Sequence, residues 1–263
     1  MSSLSVKILY GKNENLVINP SELMERYLFG VPTCTSDGRT ISSQTIKTHI
    51  LAAQRTVENL FSLKLNRQVI EESRDFIREE FNRWGYVRSL YPINYIDDLK
   101  GYINDVNQIN YPREWLSLKK MESVAVFRNV YLIPNTGKGA TMTQNAVIYN
   151  GMSPHLGWFG QTWIPNYWRL RYVTGFDPVP LDLLDFIAKL ASVNVLAILG
   201  DVLYGVGLTS IQVSLDGVSQ STPLTRSAQG GIFAGRIKQY VEDMNREVQN
   251  LKYRYRGITF EVL

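Results

Sequence analysis

The sequence predicts an α+β protein. Its helical core, a long buried helix and a C-terminal heptad-spaced helix, carries a β-rich middle insertion and a short strand-like tail. Residues 180–204 are apolar apart from a thin polar stripe, which is typical of a helix buried on most sides. Residues 237–255 place apolar side chains alternately four and three apart, as in a coiled-coil seam. Segments between residues 62 and 162 are rich in β-branched and aromatic residues, which favours strands.

Composition narrows the class of protein. The chain has 263 residues, a length that suits one large domain or two modest ones. An apolar fraction of 44% and a charged fraction of 20% are typical of a packed protein, not a disordered one. The 28 basic and 24 acidic residues give a net charge of +4, too small an excess to predict a nucleic-acid or membrane partner. Cys34 is the only cysteine, which excludes an intrachain disulfide framework and favours a reducing compartment.

Neither a secretory signal nor a membrane span is predicted. The first twenty residues lack a basic segment followed by a continuous apolar run. The longest apolar region, 181–208, is interrupted by charged and polar residues, whereas a span needs about 20 consecutive apolar residues. We therefore expect no membrane partner.

Three segments follow one another along the chain. We assign 1–61 to N-terminal helices of the helical core, 62–162 to the mixed, β-rich insertion, and 163–263 to the rest of the helical core with a loop or hairpin and a docking tail. In the first segment, Asn19 and Pro20 predict the start of a helix that ends near Gly30. A second helix is predicted at 43–61, because its apolar residues recur three and four apart; they are Ile46, Ile50, Ala53, Val57, Leu60 and Phe61.

The middle segment carries mixed signals. Residues 62–70 suit a short strand or an extended link, and 71–84 have a spacing that fits a helix or an irregular amphipathic segment, with Gly85 or Pro92 as its stop. A strand is predicted within 119–134, and a second strand at 146–149 could pair with it.

The last segment is the most regular. A strand is predicted at 167–172, the buried helix at 180–204, and a hairpin or strand and turn around Asp216 and Gly217. A Ser/Thr/Gly-rich loop at 219–231 precedes the final helix. The apolar seam of that helix is formed by Ile237, Val241, Met244, Val248, Leu251 and Tyr255. The tail 258–263 alternates in polarity, so it can add a strand to a sheet of its own subunit, a neighbour or a partner.

Catalytic, cofactor and metal patterns are weak. The stretch NTGKGAT at 135–141 lacks the first glycine and the GK[ST] ending of a phosphate loop. Cys34 with His49 or His155 would make a nucleophile and its base only if the fold brought them together. The adjacent acidic pairs point to different sides of an element and are interpreted as solvated faces; they are Asp97/Asp98, Glu71/Glu72 and Glu79/Glu80. We expect no enzyme, no cofactor and no metal.

Two basic and aromatic clusters leave nucleic-acid binding open. Arg169 and Arg171 lie among large aromatic residues and would contact DNA if displayed on one face, although such rings are more often used in packing. The stretch 252–256, KYRYR, is a second cluster, or else a helix C-terminus whose charges suit the macrodipole.

Residues 172–262 resemble the head-tail connector (adaptor, or neck) proteins of tailed bacteriophages. The matching stretches, in the order of that family, are RYVTGFDPVPLDLLDFIAKLASVNVLAILGD, GLTSIQVSLDGVSQSTPLTRSAQGGIFAGRIKQYVEDM and LKYRYRGITFEV. The likeness is weaker over the 19–61 helices and does not extend over much of 62–162, which would be an elaboration of a mostly helical family pattern.

The resemblance implies a structural role in the virion neck, after assembly in the host bacterial cytoplasm. The protein would form a ring, expected to be a dodecamer, between the portal protein and the stopper or tail proteins. Genomic DNA would pass through its lumen without sequence specificity. The residues expected at the portal or subunit interface are Ile258, Phe260, Val262, Tyr253, Tyr255, Ser219, Gln220 and Ser221. Alternatives are a tail or baseplate component, a nucleic-acid-binding module and, third, an enzyme.

Overall fold

The computed structural model describes residues 5–10, 15–34, 40–102, 108–118, 126–133, 140–142, 147–148, 162–204, 210–215, 218–223 and 233–256. The fold is α+β, with a long helix and a C-terminal helix, as predicted. The chain divides into two compact units. The first unit comprises 1–13, 61–178 and 252–263, and the second comprises 14–60 and 179–251.

Helices and strands alternate irregularly along the chain. The helices are α1 Pro20–Arg26, α2 Ser43–Phe61, α3 Arg78–Trp84, α4 Leu181–Tyr204 and α5 Ala234–Leu251, with a 3-10 turn at Arg113–Trp115 and a π-helical turn at Lys252–Arg256. The strands are β1 Ser5–Tyr10, β2 Gln68–Ile77, β3 Tyr86–Ile93, β4 Tyr95–Tyr102, β5 Gln108–Asn110, β6 Leu116–Leu118, β7 Phe127–Leu132, β8 Ala140–Met142, β9 Val147–Ile148, β10 Trp163–Thr174, β11 Ser210–Leu215 and β12 Val218–Pro223.

Two antiparallel sheets build the first unit. The larger has the order β1-β2-β10-β4-β5-β8-β9, and the smaller has the order β3-β7-β6. Strand β10 extends the strand predicted at 167–172 and pairs with β2 on one side and β4 on the other. Residues of both sheets share one core, and its large buried rings include those of Trp115, Trp168 and Tyr172. Strand β10, which begins the third segment of the sequence division, is thus central to the first unit.

The prediction of a helix or irregular amphipathic segment over 71–84 is wrong for its first half. Residues up to Ile77 belong to β2, which pairs with both β1 and β10. Pairing on both sides supplies the backbone hydrogen bonds that a helix would otherwise supply. The helix begins only at Arg78 and ends at Trp84. Of the two predicted stops, Gly85 is the one that caps it, in a left-handed conformation with φ 63°.

The predicted pairing of the strand at 146–149 is also wrong. Strand β7 pairs with β3 and with β6, so both of its edges are occupied. Strand β9 pairs instead with β8, the strand just before it in the chain. Residues 119–125 and 134 of the first predicted strand, and residues 146 and 149 of the second, lie outside the described residues.

Helices α1, α2, α4 and α5 and the hairpin β11–β12 belong to the second unit. Helix α2 has the bounds predicted from its spacing, and its buried residues include Ile46, Ile50, Ala53 and Val57. Helix α4 has the predicted length and packs against α5. The hairpin is confirmed, but β12 occupies 218–223, so the first part of the predicted 219–231 loop is a strand.

Helix α1 starts at Pro20 as predicted and ends earlier than predicted, at Arg26. Asn19 has the extended backbone of an N-cap, but its side chain makes no capping hydrogen bond. The position therefore fits a helix start by backbone geometry and by the following proline alone.

Candidate assembly surfaces

One face of the large sheet carries the cations that the sequence offered for DNA contact. Strand register places Arg171 between Glu71 on β2 and Asp98 on β4, with Lys7 of β1 one strand further. Cross-strand partners point to the same face of a sheet, so this row alternates in charge. We call this side of β1, β2, β10 and β4 the polar face.

The two arginines of the polar face already have partners. The Nε atom of Arg171 lies 2.8 Å from a carboxylate oxygen of Asp97, in a pair whose side chains are each nearly half exposed. The guanidinium carbon of Arg169 lies 3.9 Å from the ring centre of Tyr102. The neighbouring Lys100 is paired with Asp98 at 3.1 Å. This arrangement fits packing within the polar face better than a cationic surface open to phosphate.

The opposite, core face contains a buried carboxylate that sequence reasoning missed. Glu72 is 0% exposed, which contradicts the interpretation of Glu71/Glu72 as a solvated pair. The backbone N–H of Leu90 donates to both of its oxygens at 3.0 Å, and the hydroxyl of Tyr172 donates to one of them. The Nε atom of Arg74 lies 3.5 Å away. Burial and then the charge of Glu72 hold the pKa of Tyr172 far above its usual value, so the hydroxyl remains a donor.

The Glu72 carboxylate accepts a hydrogen bond from a backbone N–H of strand β3, which contains a bulge. The pairing of β3 with β7 shifts register between Arg88 and Ile93, so backbone groups in that stretch leave the ladder. Glu72 accepts a hydrogen bond from the N–H of Leu90, and the hydroxyl of Tyr172 accepts one from the N–H of Tyr91 at 3.3 Å. A buried acid here is therefore a structural acceptor, whose hydrogen bonds come from a backbone N–H and a tyrosine hydroxyl of the fold itself.

Arg128 joins the root of the C-terminal tail to the rest of the first unit. Its guanidinium donates to the carbonyl oxygens of Phe61, Ser62 and Tyr255 at 3.0, 2.9 and 3.3 Å, and also to the carbonyl of Leu90. No sequence motif predicts this role for Arg128, because the sequence does not show which backbone carbonyls need a hydrogen-bond donor in the fold.

Tyr255 is a core residue and not a surface residue. Its ring is 1% exposed and meets the ring of Phe176 edge to face at 5.9 Å. Tyr253, two residues earlier, is 45% exposed. Of the two tyrosines expected at an interface, only Tyr253 presents its ring on the surface.

The remaining predicted interface residues fall in two places. Ser219, Gln220 and Ser221 lie in β12 and pair with Ser214, Val213 and Gln212 of β11. The tail residues Ile258, Phe260 and Val262 lie outside the described residues.

A cluster of polar side chains connects helices α4 and α5 within the second unit. Lys189 lies 2.7 Å from Asp185 and 3.4 Å from Glu247, and the hydroxyl of Tyr27 donates to Asp185 at 2.7 Å. Burial lowers the pKa of Lys189, but its hydrogen bonds and charge interactions with Asp185 and Glu247 together raise it more, and the net direction is upward. Tyr240 on α5 donates to the carbonyl of Tyr27 at 2.8 Å.

Large apolar side chains are exposed on the same unit. Phe29 and Leu181 are 76% and 79% exposed, and Ile198 and Val241 are just above one third. Arg236 of α5 donates to the carbonyl of Phe29, which places this exposed ring beside the start of α5. These side chains are available for contacts with another molecule.

Helix α4 is long and apolar enough, over Leu181–Gly200, to cross a membrane by length and composition, with a mean hydropathy of 1.8. Within this structure 56% of that stretch is buried. Buried residues such as Leu183, Ile187 and Val195 line its packed side, as in the core helix of a globular unit.

Some of the weak catalytic candidates lie among the described residues, and others do not. Cys34 is exposed, and its backbone bridges to Thr40. Among the described residues, no group of three or more His, Cys, Asp or Glu side chains is arranged to hold a metal ion. His155 and residues 135–139 of the NTGKGAT stretch lie outside those residues, and Ala140 and Thr141 are in β8.

Comparison with known proteins gives structural neighbours only. No protein-family model and no curated protein matches the chain. A chain described as the neck of an empty GTA particle with C6 symmetry is 12% identical, with a TM-score of 0.43 over 90% of this chain and 94% of the other. A chain from the virion of the native gene transfer agent (GTA) particle is 12% identical, with a TM-score of 0.44 over 89% and 94%. One from the native GTA neck with C12 symmetry is 10% identical, with a TM-score of 0.41 over 90% and 94%. Similarity of this extent does not by itself assign a function.

Proposed function

We propose that this chain is a structural virion protein, a head-tail connector of the adaptor type. Its subunits form a ring, a dodecamer in our proposal, between the portal and the stopper or tail proteins. Genomic DNA passes through the lumen without sequence-specific contacts. The ring assembles in the host bacterial cytoplasm, and its mechanism is structural: docking on the portal creates the face on which the next protein binds.

The observation that carries the proposal is where the connector-like sequence stretches lie in the fold. In order, they form the end of β10 with helix α4, then the hairpin β11–β12 with most of helix α5, and then the turn Lys252–Arg256 that leads to the tail. Helices α4 and α5 also pack against each other through the Lys189 cluster. The sequence stretches that resemble connector proteins thus form consecutive structural elements. This sequence resemblance supports the proposal, and the weak structural similarity to GTA neck chains is not used for it.

The second unit offers apolar side chains for contacts between subunits. A ring requires two different, complementary surfaces on each subunit, so that every copy meets its neighbours head to tail. Phe29 and Leu181 are exposed by more than three quarters, and Ile198 and Val241 add exposed apolar area on α4 and α5. We assign these side chains to subunit contacts.

The docking contacts are assigned to the tail and the hairpin. In our proposal Ile258, Phe260 and Val262 anchor one contact with the portal or a neighbouring subunit, with Tyr253 at its root and Ser219, Gln220 and Ser221 on the hairpin edge. Tyr255 is left out because it is buried. Arg169 and Arg171 are assigned to packing, because Tyr102 and Asp97 already engage them.

Mixing the purified protein with the portal protein of the same genome tests the proposal. The mass of any complex is measured at micromolar concentration and moderate salt, and the complex is then imaged by electron microscopy. A stoichiometric ring stacked on the portal is the expected result. Absence of association would overturn the adaptor assignment in favour of a tail or baseplate role, and a salt-dependent DNA-binding assay would then be the next measurement.

The contribution of the tail is tested in the same assay. Truncation at Gly257 should abolish portal binding and leave the subunit folded. A full-length variant with Ile258, Phe260 and Val262 changed to Ser should behave like the truncation, whereas Thr259 and Glu261 changed to Ser should still bind, because alternate residues of a strand face opposite sides. Unchanged binding by the truncated protein would refute the tail contact.

A further inference from the structure

The pairing of β2 with β10 ends at two buried polar side chains. Gln68 is the first residue of β2 and Thr174 is the last residue of β10, and the register places them directly opposite each other. Opposite residues of an antiparallel pair share a face of the sheet. Gln68 is 3% exposed and Thr174 is 0% exposed. The two side chains therefore continue the core face by one row beyond Ile70 and Tyr172, which are also partners.

Neither side chain has a hydrogen-bond partner among the described residues. This holds for the Nε2 and Oε1 atoms of Gln68 and for the Oγ1 atom of Thr174, all of which are shielded from solvent. A buried amide or hydroxyl without a partner is costly, because folding removes its hydrogen bonds to bulk water. Two rows further along the same face, the buried Glu72 accepts hydrogen bonds from Leu90 and Tyr172. The Gln68 and Thr174 pair calls for a partner in the same way.

We propose that Gln68 and Thr174 together bind one internal water molecule. The two side chains supply both kinds of hydrogen bond that water makes: the amide N–H donates, the amide oxygen accepts, and the hydroxyl does either. The Cβ atoms of directly opposite residues lie about 4.5–5.5 Å apart. A water with two hydrogen bonds of about 2.8 Å spans up to roughly 5.6 Å, so one molecule can bridge the amide and the hydroxyl. Buried waters make about three hydrogen bonds, and this pair offers three polar atoms.

The neutral character of both side chains identifies the ligand as water and not an ion. An amide and a hydroxyl carry no charge that could balance a buried cation or anion. The backbone packs closely next to the pair, because a Cβ added at Gly175 would overlap the carbonyl of Asn66. The water completes the last row of the pairing between β2 and β10, where the chain leaves both strands. This site belongs to the fold of the first unit and does not depend on the proposed function.

NMR of the unmodified full-length protein tests the site directly. A water molecule held inside a protein shows cross-relaxation with the protein protons that it touches, and the side-chain amide protons of Gln68 report on this water. We expect a cross-peak between water and this amide. Absence of the cross-peak from the assigned amide resonance would overturn the proposal, and a direct hydrogen bond between Gln68 and Thr174 would then take the place of the water.

Oxygen-17 magnetic relaxation dispersion counts long-lived internal waters and gives an independent measure. The double variant Gln68→Leu with Thr174→Val replaces both polar side chains by apolar ones of similar size, so no unpaired polar group is left. We expect this variant to hold about one internal water fewer than the unmodified protein. An unchanged number in the folded variant would overturn the proposal.

Thr48→Val on α2 is the matched control for the loss of a hydroxyl. The Thr48 hydroxyl is exposed and donates to the carbonyl of Gln44 at 3.0 Å, so its removal should leave the number of internal waters unchanged. The NMR cross-peak requires no substitution, and it decides the question if the double variant does not fold.

Discussion

The two faces of the large sheet use charge in opposite ways, and the neighbours Glu71 and Glu72 show the difference. Glu72 lies on the core face without exposure to solvent, and a backbone N–H, a tyrosine hydroxyl and a guanidinium surround it. Glu71 lies on the polar face, in a row of partly exposed side chains of both signs. The comparison teaches that the surroundings of a carboxylate, and not its presence in a strand, determine how much of the fold depends on it.

The largest expected effect comes from removing the buried carboxylate. Glu72→Ala leaves the N–H of Leu90 and the hydroxyl of Tyr172 without an acceptor and the Arg74 charge without its partner, so it should lower the free energy of unfolding by about 3–5 kcal/mol. Urea unfolding followed by tryptophan fluorescence measures this. All five tryptophans lie in 61–178, and the signal therefore reports the first unit.

Glu71→Ala is the matched control for that experiment. The same change one residue earlier, on the polar face, should alter the free energy of unfolding by no more than about 0.5 kcal/mol. Equal losses in the two variants would show that the faces do not differ as the structure indicates.

How far the sequence could predict these features depends on the range of the interactions. Helix α2 and the hairpin β11–β12 follow from local spacing and from a turn dipeptide, and both were predicted. Strand β2 was predicted in part as a helix because Phe76, Ile77 and Phe81 have helical spacing, while its pairing partners lie far away in the chain. Periodicity reports which side chains share a face, and it does not report which distant strand supplies the hydrogen bonds.

The same limit on prediction from local patterns applies to the residues of the candidate sites. The exposure of Tyr253 and the burial of Tyr255 depend on where Phe176 and Arg128 come to lie, which no local pattern encodes. The roles of Glu72 and Arg128 arise from a register shift in β3 that leaves backbone groups in need of partners. Such residues resemble ordinary surface charges in the sequence.

Alkaline pH is expected to act on the core face through its tyrosines. The hydroxyls of Tyr111 and Tyr167 lie 2.7 Å apart, and burial raises the pKa of Tyr167 from 10.0 to about 12 and that of Tyr111 well above its usual value. Both pKa values are raised in the folded state. The stability from keeping the hydroxyls protonated is therefore full below pH 10 and is lost as pH rises towards the folded-state pKa values.

From well below pH 10 to well above pH 12, ionisation of the Tyr167 group alone should lower the free energy of unfolding by about 3 kcal/mol. Urea titrations at a series of pH values give the slope, and Tyr167→Phe should make that slope shallower because one of the two groups no longer ionises. An identical pH dependence in the variant would place the alkaline sensitivity outside this pair.

A smaller loss of stability is expected when the Tyr172 hydroxyl, which donates a hydrogen bond to Glu72, is removed. Tyr172→Phe keeps the ring and removes a hydrogen bond to a charged group, together with the acceptor for the N–H of Tyr91, so it should destabilise the first unit by about 1.5–3 kcal/mol. Measured in the background of Glu72→Ala, the same substitution should cost much less, because its partner is gone. Full additivity of the two losses would show that the hydroxyl and the carboxylate are not coupled.

The smallest effect should come from the polar face, at the arginine that sequence reasoning offered for DNA contact. Arg171 and Asp97 are close, but both side chains are more than one third exposed, and an exposed pair gains little because water screens it and two long side chains must be ordered. Arg171→Ala, Asp97→Ala and the double variant should give a coupling of roughly 0–1 kcal/mol that declines with added salt. A coupling that exceeds the Glu72–Tyr172 coupling and does not respond to salt would mean that the polar face is covered in the folded protein. The contrast between Glu71 and Glu72 would then have another cause. A small, salt-sensitive coupling would establish that the Glu72–Tyr172 hydrogen bond and the Arg171–Asp97 ion pair differ in strength because only the first is shielded from water.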